Sequence, residues 1–172
     1  AAPGPAPRPV DEQLDGIVVP GYVDVHSHGG GGASFVTEDP EEARRVLATH
    51  RRHGVTTMVA SLVTGTTEAL KRQVATLADL VEAGELAGIH LEGPWLALKY
   101  KGAHPPLLLS DPHPEAVAEL LDAGRGTVRM VTIAPERNGA LESIRLMTAR
   151  GVMAAIGHTD ADYDTSLAAI EA

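Results

Sequence analysis

Two histidines separated by one residue, His26 and His28, close a short apolar segment and stand directly before four consecutive glycines. Residues two apart on a β-strand point to the same face, so both imidazoles project together from the C-terminal end of a predicted strand. Two imidazoles on one face are a ready pair of metal ligands, and the glycines let the backbone turn sharply and approach a ligand closely. A chance pair of loop histidines is the alternative, and the position at a strand end favours the metal.

Two more predicted strand ends carry a metal-ligating residue type. Glu92 precedes Gly93-Pro94, which prevents the strand from continuing, and a buried carboxylate is costly unless it is paired or metal-bound. His158 follows the last predicted strand. Each residue alone has a structural alternative, a solvated turn glutamate or a loop histidine. Because parallel strands end at one shared rim, we predict that four residues hold one metal ion and begin a second site: His26, His28, Glu92 and His158.

Other polar residues fall near the same rim. His104 lies in a long loop after residues 88–92, where it could bind substrate and donate a hydrogen bond to a carbonyl under attack. A surface histidine is the alternative. His90 lies one step deeper than Glu92 on the same face and is interpreted as a hydrogen-bonded core histidine. Glu136 follows Pro135, and a structural turn is its first interpretation.

Strand-like and helix-like segments alternate along the chain and would position these residues. Apolar strand-like segments cover 17–26, 55–63, 88–92, 128–134 and 152–156. Helix-like segments cover 41–53, 68–83, 114–123, 140–150 and 162–172, and in the second of them apolar residues recur at i, i+4, i+7 and i+11. Alternation of this kind predicts an α/β fold with a parallel sheet covered by helices. An open doubly wound sheet and a (β/α) barrel both fit.

The amino-acid composition argues against several classes of function and partner. The 172 residues are 44% hydrophobic and 22% charged, which is typical of a globular protein. The net charge of −9 argues against nucleic acid or an anionic membrane as partner. No apolar run approaches the roughly 20 residues of a membrane helix, and no signal-peptide pattern is present, so we expect a cytoplasmic location. The absence of cysteine means that His, Asp or Glu must hold any metal.

Ordered motifs connect the chain with a known family. The segment PGYVDVHSHG at 20–29 resembles the first barrel strand of the amidohydrolase superfamily. The set HLEGPW at 90–95, KGAH at 101–104, TIAPE at 132–136 and GHT at 157–159 resembles the N-acetylglucosamine-6-phosphate deacetylases within it. The resemblance runs from about Val19 to the last residue. It implies a parallel (β/α) barrel of the TIM type over 17–172, incomplete with about five of eight units, after a linker or remnant of an N-terminal β region over 1–16.

The resemblance also implies a chemistry. Family members hydrolyse N-acetylglucosamine 6-phosphate to glucosamine 6-phosphate and acetate with one or two divalent ions, zinc first and iron or another ion as alternatives. Glu92 and His158 resemble ligands of the main ion, and His26 and His28 resemble ligands of a second ion that only some members bind. His104 would stabilise the oxyanion. The family's general-base aspartate is expected beyond Ala172, so we expect this chain alone to be inactive and the intact enzyme to be a homodimer acting on a small phosphorylated amino sugar.

Two rival functions stay open. Dihydroorotases and hydantoinases share the first histidine pair but usually bridge two metals with a carbamylated lysine on the fourth strand, and residues 128–134 contain no lysine. A catalytically incomplete fragment or a binding module is the second rival. If the 172-residue chain hydrolysed the sugar phosphate by itself, Asp160 and Asp162 would be the first candidates for the general base.

Overall fold

The computed structural model describes residues 15–172, in which strands and helices alternate along the chain. The elements follow in the order β1 (Tyr22–Ser27), β2 (Gly29–Gly30), β3 (Ala33–Ser34), α1 (Pro40–Arg51), β4 (Val55–Val63), α2 (Thr67–Glu82), β5 (Gly88–Glu92), a 3-10 turn (Pro106–Leu108), α3 (Pro114–Ala123), β6 (Val128–Ile133), α4 (Ala140–Ala149), β7 (Met153–Ile156) and α5 (Tyr163–Glu171). Five βα units are therefore present in this part of the chain.

The five long strands form one parallel sheet in the order β1-β4-β5-β6-β7, which is also their order along the chain. Each helix from α1 to α5 packs against the next helix. A doubly wound open sheet would reverse its strand order at a switch point, and no reversal occurs among these strands. The predicted incomplete barrel of the TIM type is confirmed, and it places five strand ends along one rim.

The first strand begins later than predicted. Residues 17–19 are apolar and β-branched, yet Ile17 is 91% exposed and lies outside any strand. Pro20 lacks the amide hydrogen that a strand ladder needs, and pairing starts only where Tyr22 meets Val55 of β4. The other predicted bounds lie within one or two residues of the observed ones. The linker predicted for 1–16 falls outside the described residues except at 15 and 16, so that boundary stays a prediction.

The core lies between the sheet and the ring of helices. Leucine, isoleucine and valine side chains from both layers are fully buried there, among them Leu62, Leu77, Ile89 and Val131. Two aromatic residues, Phe35 and Trp95, are also buried in this core. Within residues 15–172, no helix has both the length and the apolar character that crossing a membrane requires.

Truncating a core side chain should destabilise the whole layer. Leu77 on α2 is fully buried, so we expect Leu77→Ala in the complete gene product to lower the free energy of unfolding by about 2–5 kcal/mol, because transfer energy is lost and a cavity remains. Leu107, 96% exposed, provides the matched control, and Leu107→Ala should change stability by less than about 0.5 kcal/mol. Urea denaturation measures both. Equal effects of the two substitutions would contradict this packing.

Candidate metal centre

Side chains from three strand ends and one loop meet above the C-terminal rim of the sheet. His26 lies near the end of β1 and His28 follows it directly. Glu92 is the last residue of β5, and His158 lies two residues beyond β7. His104 reaches the same place from the loop between β5 and the 3-10 turn. The structure thus brings together the five residues that the sequence singled out for chemistry.

Glu92 is the centre of this cluster. Its Oε2 atom lies 2.9 Å from Nε2 of His28 and 3.4 Å from Nε2 of His26. Its Oε1 atom lies 3.0 Å from Nε2 of His158, and Nε2 of His104 lies 3.7 Å from Oε2. The donor atoms form two groups that could each hold an ion, His26–His28–Glu92 and Glu92–His104–His158. One carboxylate therefore belongs to both groups, with its two oxygens facing different histidines.

The spacing of the donor atoms fits a divalent ion. Nε2 of His26 and Nε2 of His28 lie 3.1 Å apart, and both face Oε2 of Glu92. Ligands bound at about 2.0–2.2 Å around one ion lie about 3–3.6 Å from each other. Imidazole nitrogens with one carboxylate are also a donor set that zinc and related ions accept. Geometry and chemistry therefore both allow a metal in this cluster.

Backbone carbonyls orient two of the histidine rings. Nδ1 of His28 donates to the carbonyl oxygen of Ser61 at 3.0 Å, and Nδ1 of His158 donates to the carbonyl oxygen of Tyr100 at 2.8 Å. A carbonyl can only accept, so Nδ1 carries the hydrogen in both rings. Nε2 is then the nitrogen available to a metal, and in each ring it is the atom that faces Glu92.

The ring of His104 has the opposite arrangement. The backbone N–H of Thr64 donates to Nδ1 of His104 at 3.4 Å, and the Thr64 hydroxyl lies 2.8 Å from the same atom. An N–H can only donate, so Nδ1 acts as the acceptor and Nε2 carries the hydrogen in the neutral ring. Burial lowers the pKa of His104 more than the charge of Glu92 raises it. His104 therefore presents a hydrogen-bond donor to the site, unlike His28 and His158.

Glu92 remains ionised in this setting. Burial acts to raise the pKa of its carboxyl group, but the electrostatic effect of the His26 and His28 rings, together with the contact to His158, outweighs it, and the pKa is lowered. The Glu92 side chain is only 10% exposed. A buried negative charge surrounded by imidazole rings favours the binding of a metal cation.

His90 lies beneath the cluster as a buried hydrogen-bonded residue. Its Nδ1 and Nε2 atoms pair with the hydroxyls of Ser61 at 2.9 Å and Thr132 at 2.8 Å. Burial, followed by the electrostatic effect of the neighbouring His26 ring, lowers the pKa of His90 to about 4, so the ring is neutral near pH 7. The His26 ring packs edge-on against it at 4.8 Å. This agrees with the interpretation of His90 as a core histidine that supports the site from below.

Sequence reasoning missed the residues that orient the histidines. Ser61 and Thr64 lie at the end of the apolar β4 segment, and both are buried polar residues next to the rim. Polar residues at the C-terminal end of an apolar strand were the available signal. The carbonyl of Tyr100 could not be recognised from the sequence, because a residue of any type could supply a backbone carbonyl there.

Comparisons with known proteins identify the family of the chain. A model described as Amidohydrolase family matches residues 17–171. The chain is 30% identical over 176 residues to an N-acetylgalactosamine-6-phosphate deacetylase of Escherichia coli O157:H7, covering 100% of this chain and 47% of that protein. A crystal structure of N-acetyl-D-glucosamine-6-phosphate deacetylase from Mycobacterium smegmatis matches with a TM-score of 0.94 and 54% identity, covering 98% of this chain and 45% of that one.

A mutant of the Mycobacterium smegmatis enzyme, in complex with N-acetyl-D-glucosamine-6-phosphate, matches with a TM-score of 0.87 and 57% identity. That match covers 89% of this chain and 40% of the mutant chain. The chain therefore spans less than half the length of these relatives. The similarity includes the β-strands and loops that carry the histidine cluster, since nearly all of residues 15–172 is covered.

Proposed function

The chain belongs to the amidohydrolase family, and we propose that it supplies the metal centre of a hydrolase that deacetylates N-acetylglucosamine 6-phosphate to glucosamine 6-phosphate and acetate. The observation that carries the proposal is the buried Glu92 carboxylate, which faces His26 and His28 with one oxygen and His158 with the other. The similarity to deacetylases of two acetylamino sugar phosphates supports the substrate class.

In this proposal Glu92 and His158 hold the main divalent ion, and His26 and His28 complete a second position. Zinc is the first choice for the ion, with iron or another divalent metal as alternatives. When bound, such an ion lowers the pKa of water from 15.7 towards about 7 and polarises the amide carbonyl. The carbonyl of Ser61 contributes by keeping Nε2 of His28 turned towards Glu92.

His104 has a separate role in the proposal. It donates its Nε2–H to the oxygen of the acetyl carbonyl, and that hydrogen bond strengthens as negative charge develops on the oxygen. Thr64 holds the ring in the tautomer that makes the donation possible. The ring is buried, so the donor needs little reorganisation when substrate arrives. An aspartate general base beyond Ala172 stays a prediction from the resemblance.

Hydrolysis assays on the complete gene product test the proposal. We expect acetate release from N-acetylglucosamine 6-phosphate to exceed release from N-acetylgalactosamine 6-phosphate and from unphosphorylated N-acetylglucosamine. A chelator should abolish the activity and zinc should restore it. Faster hydrolysis of the galactosamine compound would overturn the sugar assignment while keeping the deacetylase class. Hydrolysis of dihydroorotate or a hydantoin in place of either sugar would favour the rival amidohydrolases.

The rival amidohydrolases are disfavoured by the residues at the sheet. Their bridging lysine would lie on the fourth barrel strand, and β6 (Val128–Ile133) has none. Glu92 already faces both donor groups and can bridge two ions in its place. Homodimer formation and a cytoplasmic location go with the proposed enzyme as further predictions.

Zinc should stabilise the folded protein measurably. Binding to the native state alone adds RT ln(1 + [L]/Kd), which is about 2.7 kcal/mol at a free zinc concentration of 100 Kd. We therefore expect the Tm of the metal-free complete gene product to rise on adding zinc, as measured by thermal denaturation followed by circular dichroism. Magnesium prefers all-oxygen sites and provides the control, with little expected shift. An equal Tm with and without zinc would contradict a folded-state metal site.

A further inference from the structure

We propose that Glu136 is a positioning residue that holds the His158 loop in the conformation needed for metal binding. The inference rests on the proposed function, because it requires His158 to be a metal ligand. Glu136 lies in the loop after β6, and His158 lies in the loop after the neighbouring strand β7. The contacts between these two loops support this role.

The backbone of His158 is strained. Its φ is +51°, in the left-handed region that residues with a β-carbon rarely adopt. A non-glycine residue persists there only when the surrounding structure over-determines it, and such residues cluster at functional sites. Something must therefore hold this loop against its tendency to relax, since relaxation would turn the imidazole away from Glu92.

Two contacts hold His158 from the side of the β5 loop. The backbone N–H of Ala97 donates to the carbonyl oxygen of His158 at 2.9 Å, and Nδ1 of His158 donates to the carbonyl oxygen of Tyr100 at 2.8 Å. Lys99 also pairs with Asp160 at 2.8 Å. That ion pair joins two side chains and does not contact the backbone of residues 158–160, so it is a poor candidate for the main restraint on that backbone.

Glu136 holds the loop from the opposite side. Its Oε1 atom accepts the backbone N–H of Asp160 at 2.7 Å, and its Oε2 atom accepts the hydroxyl of Thr159. Both carboxylate oxygens therefore accept hydrogen bonds from the two residues that directly follow His158. Hydrogen bonds to an ionised acceptor are stronger than neutral ones, so this pair of contacts is well suited to hold the strained backbone.

A neighbouring carboxylate provides a matched control. Asp111 pairs with Arg137 Nε at 2.9 Å and accepts the Asn138 side-chain amide at 3.0 Å. It therefore restrains the same loop after β6 as Glu136 does. Neither of these two contacts involves residues 158–160. If Glu136 only stabilised the loop after β6, Glu136→Ala and Asp111→Ala should have similar effects. A positioning role for Glu136 predicts an effect of Glu136→Ala alone.

The test compares four variants of the metal-free complete gene product: Glu136→Ala, Glu136→Gln, Asp111→Ala and His158→Ala. Zinc affinity is measured by chelator competition, and exchange of the Asp160 amide hydrogen is followed by NMR. We expect Glu136→Ala to weaken zinc binding by about 10–100-fold, the usual effect of losing a group that orients a ligand, and to accelerate Asp160 exchange. Glu136→Gln keeps one oxygen acceptor and should recover part of both, and Asp111→Ala should leave both unchanged.

The outcomes distinguish a failure of the proposed function from a failure of the positioning role of Glu136. Wild-type zinc affinity in His158→Ala would overturn the ligand assignment and with it the proposed function. Lost affinity in His158→Ala together with unchanged affinity in Glu136→Ala would overturn the positioning role alone. Unchanged Asp160 exchange in Glu136→Ala, or an equal loss of affinity in Asp111→Ala, would also overturn it. If Glu136→Ala fails to fold, the partial effect of Glu136→Gln on affinity and exchange decides.

Discussion

Glu92→Ala in the complete gene product should remove the bound metal and abolish hydrolysis. The substitution deletes a ligand from both donor groups at once and leaves three imidazoles, those of His26, His28 and His158, without the negative charge that they surround. Losing a residue that merely orients a ligand costs about 10–100-fold in affinity, so losing the shared ligand should cost more. Elemental analysis after dialysis measures the metal content, and acetate release measures activity.

The control for this substitution is another carboxylate far from the rim. Glu119 on α3 pairs with Lys71 at 3.1 Å and is exposed, so Glu119→Ala should keep full metal content and activity. Glu92→Gln adds a sharper comparison because it preserves the shape of the side chain but removes its charge. Metal content in Glu92→Ala equal to that of the wild type would refute the assignment of Glu92 as a ligand.

His104→Ala should have the second largest effect, and it should act on kcat and leave metal content intact. Removing one hydrogen-bond donor to a developing oxyanion costs about 10²–10³-fold in kcat. His104 presents an Nε2–H to the site and Thr64 occupies its Nδ1, so the ring is arranged as a donor and not as a ligand. Steady-state kinetics with N-acetylglucosamine 6-phosphate, together with elemental analysis, separates the two roles.

Thr64→Val provides the companion variant for His104. It removes the hydroxyl that lies 2.8 Å from Nδ1 but keeps the backbone N–H and the shape of the side chain. A smaller loss of kcat than in His104→Ala is expected. Loss of metal from His104→Ala would instead place His104 among the ligands, beside Glu92 and His158, and would contradict the role as oxyanion donor.

The positions of the strand ends could be predicted because local patterns mark them. Short apolar runs followed by glycine or proline located four of the five long strands to within one or two residues, and the spacing of His26 and His28 indicated that these two residues share a face. The first strand was placed too early because the apolar run at residues 17–19 resembles a strand locally. The start of a strand depends on where its pairing partner begins, and pairing with β4 begins at Tyr22.

The distances within the site could not be predicted, because they depend on register between strands. Pairing of Ser61 with His90 and of Val63 with Glu92 sets the height of the carboxylate relative to β4, and a shift of one residue would turn Glu92 to the opposite face. The tautomers of the histidines depend on carbonyls supplied by distant residues, as with Tyr100 and His158. Register and the positions of the carbonyl groups depend on how the whole chain packs, so no local sequence pattern predicts them.

The zinc K-edge X-ray absorption spectrum of the zinc-loaded complete gene product tests the metal centre most directly. The cluster predicts nitrogen and oxygen ligands at about 2.0–2.2 Å, with the multiple scattering of more than one imidazole. That scattering should disappear from Glu92→Ala and persist in Glu119→Ala. A wild-type spectrum with oxygen ligands only and no imidazole scattering, or one that is unchanged in Glu92→Ala, would contradict a zinc centre built from Glu92 and the histidines of the rim.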